Sequence, residues 1–545
     1  VSAADLAPPS ERSERAQIAR AAGIIMVGVI LSRVLGLARE QVTATLFGTG
    51  DAVAAFTIAD NVHTMLFDLV ISGMMQAALV PVLSAYAAPA QREELRRIVG
   101  ALLMLALLVV GGVVLAMVLL APWVVAGMTA LGGGEQARGP ETIQLTVRLV
   151  RLILPAVLLL ALSTILMSTL YALERFTQPS LSLAVRNAAI VAAALALGRS
   201  LGVASLVIGI LAGAGLLALI QLSGLRDTMP RLNFGFSHPA IRRILLLYLP
   251  IFLGLFANTV ALVIDRNLAW GVDEHALGAM RYATALNQMI LGLVAAATSL
   301  AALPTLSRHF ADGDEVAYQR TLATGLKLVT IMVAPATLGL AAIGWPAVAL
   351  LFYHGATDLE GARAIWIALL GYLPGTFFAA FDQVLIFAYY ARQNTRTPVL
   401  VGVLSVLVYF VVALSLVRPL GMLGLVLGNS AQFIAHALVM WLLLRRALGR
   451  VGDGTVGPTL RSALLAGGAM ALIVLLITQG LTGVRPPEEA GLSWRLLQVA
   501  IPVSAGAAIY WLGLRLLGVE EARLLWQAAR ARAALLLPAA GRQPR

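Results

Sequence analysis

The amino-acid sequence predicts an all-α polytopic membrane protein: about fourteen transmembrane helices in two parallel-repeat six-helix lobes, followed by two C-terminal helices. Three observations carry that prediction. The 545 residues are 60% hydrophobic and 12% charged, with a mean hydropathy of +0.89, whereas a soluble globule is about 25% charged. Apolar runs of roughly 20 residues, the length that crosses a bilayer, recur along the chain. Residues 154–209 also return without a gap at 373–428, offset by 219, with 17 of 56 positions identical. Leu154-Pro155 returns as Leu373-Pro374, Tyr171-Ala172 as Tyr390-Ala391, Pro179 as Pro398, and Arg199 and Gly202 as Arg418 and Gly421. Apolar bias would match some leucines and alanines by chance. It would not hold prolines, a tyrosine, an arginine and glycines in one register. Internal duplication of an apolar chain is an architecture of transporters.

The candidate spans lie near 20–38, 54–87, 98–129, 147–173, 178–198, 201–222, 243–270, 276–307, 321–352, 362–391, 397–416, 421–447, 459–481 and 494–517. Residues 1–19 are polar and read as a cytoplasmic tail, with no cleavable leader in Val1–Gln17. Residues 20–225 form the first lobe, 226–239 a linker, and 240–450 the second lobe. Residues 451–518 add two helices. Residues 519–545, with Arg523, Trp526, Arg530 and Arg532 among leucines and alanines, suggest an amphipathic interfacial helix. An even number of spans separates the two copies, so they run in the same direction.

The net charge of +12 comes from arginines spread over short loops. That spread argues against nucleic acid and for the excess of positive charge on the inner side of membrane proteins. With the N-terminus inside, the inner segments hold Arg92, Arg96, Arg97, Arg226, Arg231, Arg242, Arg243, Arg445 and Arg446. The outer loops are poorer in arginine: Glu135, Arg138 and Glu141; Asp273, Glu274 and His275; Asp358, Glu360 and Arg363. Both termini are therefore expected in the cytoplasm.

The chain carries no catalytic signature: no P-loop, no HExxH, no G-x-S-x-G and no dinucleotide fingerprint. There is no cysteine, which excludes disulfides and thiolate metal sites. The six histidines show no ligand spacing, so no metal and no cofactor are expected; His63 and His436, in apolar stretches, read as hydrogen-bonded structural residues.

Ionisable residues inside spans are the informative set, because each is strongly disfavoured in lipid unless it faces a cavity or a partner. They are Arg33 and Arg39 beside Glu40 in the first span, Asp68 in the second, Asp265-Arg266 in the seventh, Arg281 in the eighth and Asp382 in the tenth. For each, an ion pair without substrate contact is the plainer reading, and snorkelling to the interface is the plainer one for Arg33 and Arg39. Arginines at membrane depth in the first helices of both lobes also make a cationic cavity. Guanidinium binds phosphate bidentately and stays charged, so the expected cargo is an anion, and a phosphate-headed lipid suits it.

The run S-R-V-L-G-L-A-R-E at 32–40, L-F-G at 46–48, and S-G-M-M-Q-A-A-L-V-P-V-L-S at 72–84 resemble the opening of the MurJ/MviN lipid II flippases. Y-Y-A-R-Q-N-T-R-T-P at 389–398 with P-L-G-M-L-G-L at 419–425, and R-Y-A-T-A-L with A-A-L-P-T-L-S, resemble later segments of the same family. The resemblance spans roughly 20–450. It implies the fold of the multidrug/oligosaccharidyl-lipid/polysaccharide (MOP) exporter superfamily, a bacterial inner-membrane location, and translocation of undecaprenyl-pyrophosphate-linked peptidoglycan precursor. Its implied partners are that lipid, membrane lipids and cell-wall synthesis proteins. The family's two first-helix arginines match Arg33 and Arg39, and Glu40 stands for its adjacent aspartate. Its second-helix arginine falls on Phe67, with His63-Thr64 in place of the preceding Pro-Asn. Its eighth-helix arginine falls on Ala285, one turn from Arg281 on the same face. Asp265 matches a carboxylate that binds sodium in some members, but its eleventh-helix partners are Tyr409 and Ala413 here.

The resulting expectation is a lipid II flippase in which Arg33, Arg39, Arg266 and Arg281 hold pyrophosphate. Glu40, Asp265, Asp68 and Asp382 would support or couple, and the last two spans would take the polyprenyl tail. Rival readings are another exporter of the superfamily, for a different lipid-linked glycan or a cation-coupled drug, and a transport-inactive scaffold for cell-wall synthesis.

Overall fold

The computed structural model describes residues 28, 30–69, 78–449, 451, 452 and 454–521. Regular structure among the described residues is helical throughout. The helices in order are α1 (30–47), α2 (Asp51–Phe67), α3 (Val80–Ser84), α4 (Arg92–Leu119), α5 (Ala121–Thr129), α6 (Gly134–Ile153), α7 (Pro155–Ala172), α8 (Thr177–Leu201) and α9 (Ala204–Ser223). There follow α10 (Pro239–Trp270), α11 (Ala276–Ala311), α12 (Glu315–Ala342), α13 (Gly344–Leu351), α14 (Leu359–Ala391), α15 (Arg396–Leu420), α16 (Met422–Leu448), α17 (Val456–Val484) and α18 (Leu492–Leu516). Twelve of the fourteen apolar segments fall on one helix or on two consecutive helices, and those near 20–38 and 54–87 lie only partly within the described residues. Ten helical stretches among the described residues are long and apolar enough to cross a membrane. The N-terminal tail and the amphipathic segment beyond residue 521 lie outside the described residues.

The duplication is visible in backbone detail. α8 and α15 begin and end 219 residues apart, and α7 ends at Ala172 where α14 ends at Ala391. Glu174 and Gln393, one repeat apart, are the two non-glycine residues with positive φ among the described residues, both at 58°. Gly202 and Gly421 both have φ of 56°, with ψ of −144° and −132°. Only glycine enters that region without strain, so each copy makes the same turn between its last two helices with the same residue.

The helices show the burial pattern of a membrane protein. α15 buries Pro398, Val401, Ser405, Tyr409 and Ala413 and exposes Leu400, Leu404, Leu407, Val411 and Leu414. Small and polar groups face protein while large apolar ones face outward. In water such a surface would aggregate; in lipid it is the expected arrangement.

Contacts divide the chain into two compact units. The first comprises residues 1–285 and 354–361, the second 286–353 and 362–545. In the first unit α7 is central: most of its residues are buried, against α2, α4 and α9 among others. α10 is bolted to the rest of that unit at its C-terminal end. Asn267 donates to Gly127 O (2.6 Å) and accepts from Leu131 N (2.9 Å), and Trp270 Nε1 donates to Gly134 O (2.9 Å). Arg138 donates to Asp51 Oδ1 (2.6 Å) and Trp270 O (2.9 Å). In the second unit α17 packs on α12 and α18, α15 packs on α16, and Tyr510 donates to Ile331 O at 3.0 Å. Lys327, the only lysine in the chain, meets Glu521 at 2.8 Å.

Candidate functional site

The corner between α1 and α2 sets the geometry. Gly48, at φ of 69°, turns the chain, and Tyr282 of α11 donates to Gly48 O at 2.8 Å. A Cβ on Gly278 would lie 2.6 Å from Thr49 O and 2.9 Å from Thr49 Cα, so only glycine lets α11 cross this closely. The strap 354–361 clasps the same corner: Ala356 N donates to Thr45 O and Thr357 Oγ1 to Ala44 O, both at 2.8 Å. His354 and His275 reach Thr45 and Thr49 at 2.9 and 2.8 Å. The second turn of α11 is thereby fixed between α1 and α2.

Arg281 projects from that turn. Its Nε donates to Glu40 Oε2 at 2.7 Å, its Nη2 to Glu40 Oε1 at 3.1 Å, and its Nη1 to Asp60 Oδ2 at 2.8 Å. Its guanidinium lies 4.8 Å from the ring centre of Phe56. Phe56, Asp60 and His63 share one face of α2 because they are three or four residues apart; His63 Nδ1 is 3.6 Å from Asp60 Oδ1. Arg39 shares Glu40: its Nε and Nη2 approach Oε1 at 2.9 and 2.5 Å. Its Nη1 makes a long bond of 3.4 Å to Asn187 Oδ1 on α8, and Asn187 in turn donates to Ser32 O at 3.1 Å. Glu40 is thus a buried carboxylate, 3% exposed, between two guanidinium groups. Arg281 is saturated by carboxylates, whereas Arg39 keeps 24% of its side chain exposed.

The structure therefore brings Arg39, Glu40 and Arg281 together. Arg33 lies exposed on α1, with no hydrogen bond or ion pair among the described residues. Asp265 and Arg266 pair loosely at 3.7 Å, and the half-buried Arg266 leaves Nε and Nη1 without hydrogen bonds. Asp68 follows α2 and acts electrostatically on Tyr248 and Arg186. Asp382 belongs to the second unit, where it meets His436. Asp60, Asn187 and Arg186 are additions to the set read from the sequence. Arg186 stands beside Asn187 on α8, its stem against Gly213, within electrostatic reach of Arg39, Asp60 and Asp68. Three arginines thus face three carboxylates. Asp60 and Arg186 were findable, since each is a lone ionisable residue in an apolar run.

Comparison with known proteins gives a consistent picture. The family described as lipid II flippase MurJ matches residues 43–485. The lipid II flippase MurJ of Burkholderia cenocepacia is 28% identical over 428 residues, covering 76% of this chain and 82% of that protein. The probable lipid II flippase MurJ of Vibrio cholerae is 27% identical over 516 residues, covering 91% and 95%. Among solved structures, a lipid II flippase MurJ in an inward closed conformation superposes with a TM-score of 0.74 at 19% identity, over 90% of this chain and 98% of that one. A multidrug resistance MATE family transporter of the MOP superfamily, inward-facing, gives 0.65 at 15% identity, over 78% and 98%. These likenesses establish a shared fold.

Proposed function

The chain belongs to the lipid II flippase MurJ family, a family of transporters rather than enzymes, and on that premise we propose that it moves lipid II across the bacterial cytoplasmic membrane. Both termini lie in the cytoplasm on this reading, as the loop arginines require. The observation that carries the proposal is the Arg39–Glu40–Arg281 cluster. Arg281, held by Glu40 and Asp60, is a positioning residue. Arg39 is the guanidinium that takes the pyrophosphate, because it is part-exposed and its outermost bond is long. Pyrophosphate carries more charge than one carboxylate and offers bidentate oxygens, so it competes with Glu40 for the same donors. Arg266, with two unsatisfied donors, is a second anion contact. Arg33 stands by the entry side of α1, Asp265 orients Arg266, and Asp68 screens Arg186. The exposed leucines of α17 and α18 suit the polyprenyl tail. Alternating access by the two lobes follows from the duplicated architecture. Membrane potential supplies the drive, about 2.3 kcal/mol per charge per 100 mV, without a cofactor.

Phe67 and Ala285, where the family resemblance places arginines, favour a second reading, a transport-inactive scaffold that binds cell-wall synthesis proteins. One experiment separates the two. A bacterial strain depleted of its own lipid II flippase, and expressing this chain, should regain growth and surface-exposed lipid II. Growth arrest with lipid II trapped inside, at normal abundance of the chain, would sink the flippase reading.

A further inference from the structure

The interior of the second unit holds a buried ionisable pair. His436 Nδ1 of α16 lies 2.7 Å from Asp382 Oδ2 of α14, and the two residues are 9% and 5% exposed. His436 Nε2 meets Pro398 O of α15 at 3.3 Å. Their polar atoms are incompletely satisfied: neither Asp382 Oδ1 nor His436 Nδ1 has an aligned hydrogen-bond partner among the described residues. Phe381, Val384, Leu385, Val401 and Met440 belong to the surrounding apolar cluster.

Among the described residues, neither member makes an ion pair with any group but the other. Towards the end of α14, the Tyr389 hydroxyl faces Met440 O and Arg392 pairs with Glu315 at 2.9 Å. On α12, the Tyr318 hydroxyl donates to Ala388 O and Lys327 is paired with Glu521. On α15, Tyr409 is buried and Arg396 opens the helix. Arg445 and Arg446 stand in the last turn of α16, about 13 Å along the helix from His436. Arg308 and His309 stand in the last turn of α11.

The pair is not a requirement of the repeated fold, because the corresponding residues of the first copy are Ser163 and Leu217. It also lies two turns from Pro374, which sits inside α14 and removes a backbone donor there. Ser430 of α16 bridges the gap, donating to Gly371 O at 2.6 Å and accepting from Gly375 N at 3.1 Å. α16 therefore holds α14 at two levels, beside Pro374 through Ser430 and two turns further on through His436.

With one shared proton the pair is neutral. Without it an uncompensated carboxylate is left in an apolar interior, which is strongly disfavoured. The proton leaves when α14 swings from α16 and water enters. We propose that Asp382 and His436 form a proton-binding site, in which uptake and release of one proton is tied to the bending of α14 against α16, so that a proton gradient contributes to transport. The transport half of this inference rests on the flippase reading; the proton-binding half does not. The step transfers one proton between water and the imidazole–carboxylate pair, and no other bond forms or breaks.

Two measurements on the full chain test it. In detergent micelles, the histidine side-chain resonances are followed from pH 5 to 9, with that of His436 assigned by its loss in His436→Leu. Its titration midpoint should move in Asp382→Asn; an unmoved midpoint overturns the site. In proteoliposomes at zero membrane potential, fluorescent lipid II is flipped under an imposed pH gradient. The wild-type rate should change by up to about tenfold per pH unit, the limit for one coupled proton. The double variant Asp382→Ser/His436→Leu installs the first copy's residues, which the fold already accommodates, and should flip without responding to the gradient. A wild type that flips equally with and without the gradient overturns the coupling. A wild type that flips nothing overturns the flippase reading, and the resonance titration then decides the proton site alone.

Discussion

Two arginines that share one carboxylate have opposite roles. Arg281 is the partner of both Glu40 and Asp60, so removing it strips Asp60 of its arginine and leaves the buried Glu40 with Arg39 alone. Arg281→Ala should destabilise the protein by roughly 3–5 kcal/mol, read as a large fall in the thermal midpoint of purified protein. Arg39→Ala leaves Glu40 paired with Arg281, and should lower that midpoint by a small fraction of this. Equal losses would mean that Arg39 is as structural as Arg281. The membership of this site was legible in part. Glu40, Arg39 and Arg281 stand out because ionisable residues in apolar runs need partners. Asp60 and Arg186 meet the same criterion. Who pairs with whom was not legible, because 241 residues separate Glu40 from Arg281 and helix packing alone sets their meeting. His436 read as structural for the same reason: nothing local points it at Asp382.

At the scale of elements, the duplication was legible down to single turns. It fixed the bounds of α8 and α15 and the glycines that follow them, because turn chemistry is written locally. Gly202→Ala and Gly421→Ala should each destabilise by about 1–3 kcal/mol and by similar amounts. Thermal unfolding of both variants checks this, and a penalty in one copy only would show that the turns are not equivalent. The connection after α9 is held by Arg175, which grips Asp227 through two bonds of 2.6 and 2.5 Å. These hydrogen bonds hold the Asp227 carboxyl at about 2, below its ordinary 3.8. A depressed folded-state value means that the clasp contributes above the ordinary value and is lost as pH falls through about 2. Limited trypsin cleavage after Arg226 and Arg231 should thus be unchanged between pH 8 and 6. Asp227→Asn should speed it at pH 7; an unchanged rate would show that the clasp does not order the linker.

At the scale of the whole molecule, the all-helical membrane architecture and the repeat were legible because lipid imposes length and apolarity on each span. The contact units were not. The repeat divides the sequence at the linker, whereas packing places α10, the start of α11 and residues 354–361 with the first-lobe helices. Asn267 and Trp270 carry the packing of α10, and each looks unremarkable in sequence. Orientation is directly testable because the chain has no cysteine. Single cysteines at Gly134 and Asp273 should react with an impermeant maleimide on intact cells, and one at Ser237 only after permeabilisation. The reverse pattern would invert the topology. The most direct measurement is surface lipid II in a flippase-depleted strain expressing wild type, Arg39→Lys or Arg39→Ala at matched abundance. If Arg39 grips pyrophosphate as a fork, the wild type restores surface lipid II. Both variants then fall roughly ten- to hundredfold short, the loss of one charge-assisted bond of about 1.5–3 kcal/mol. Equal restoration by all three would remove Arg39 from the mechanism.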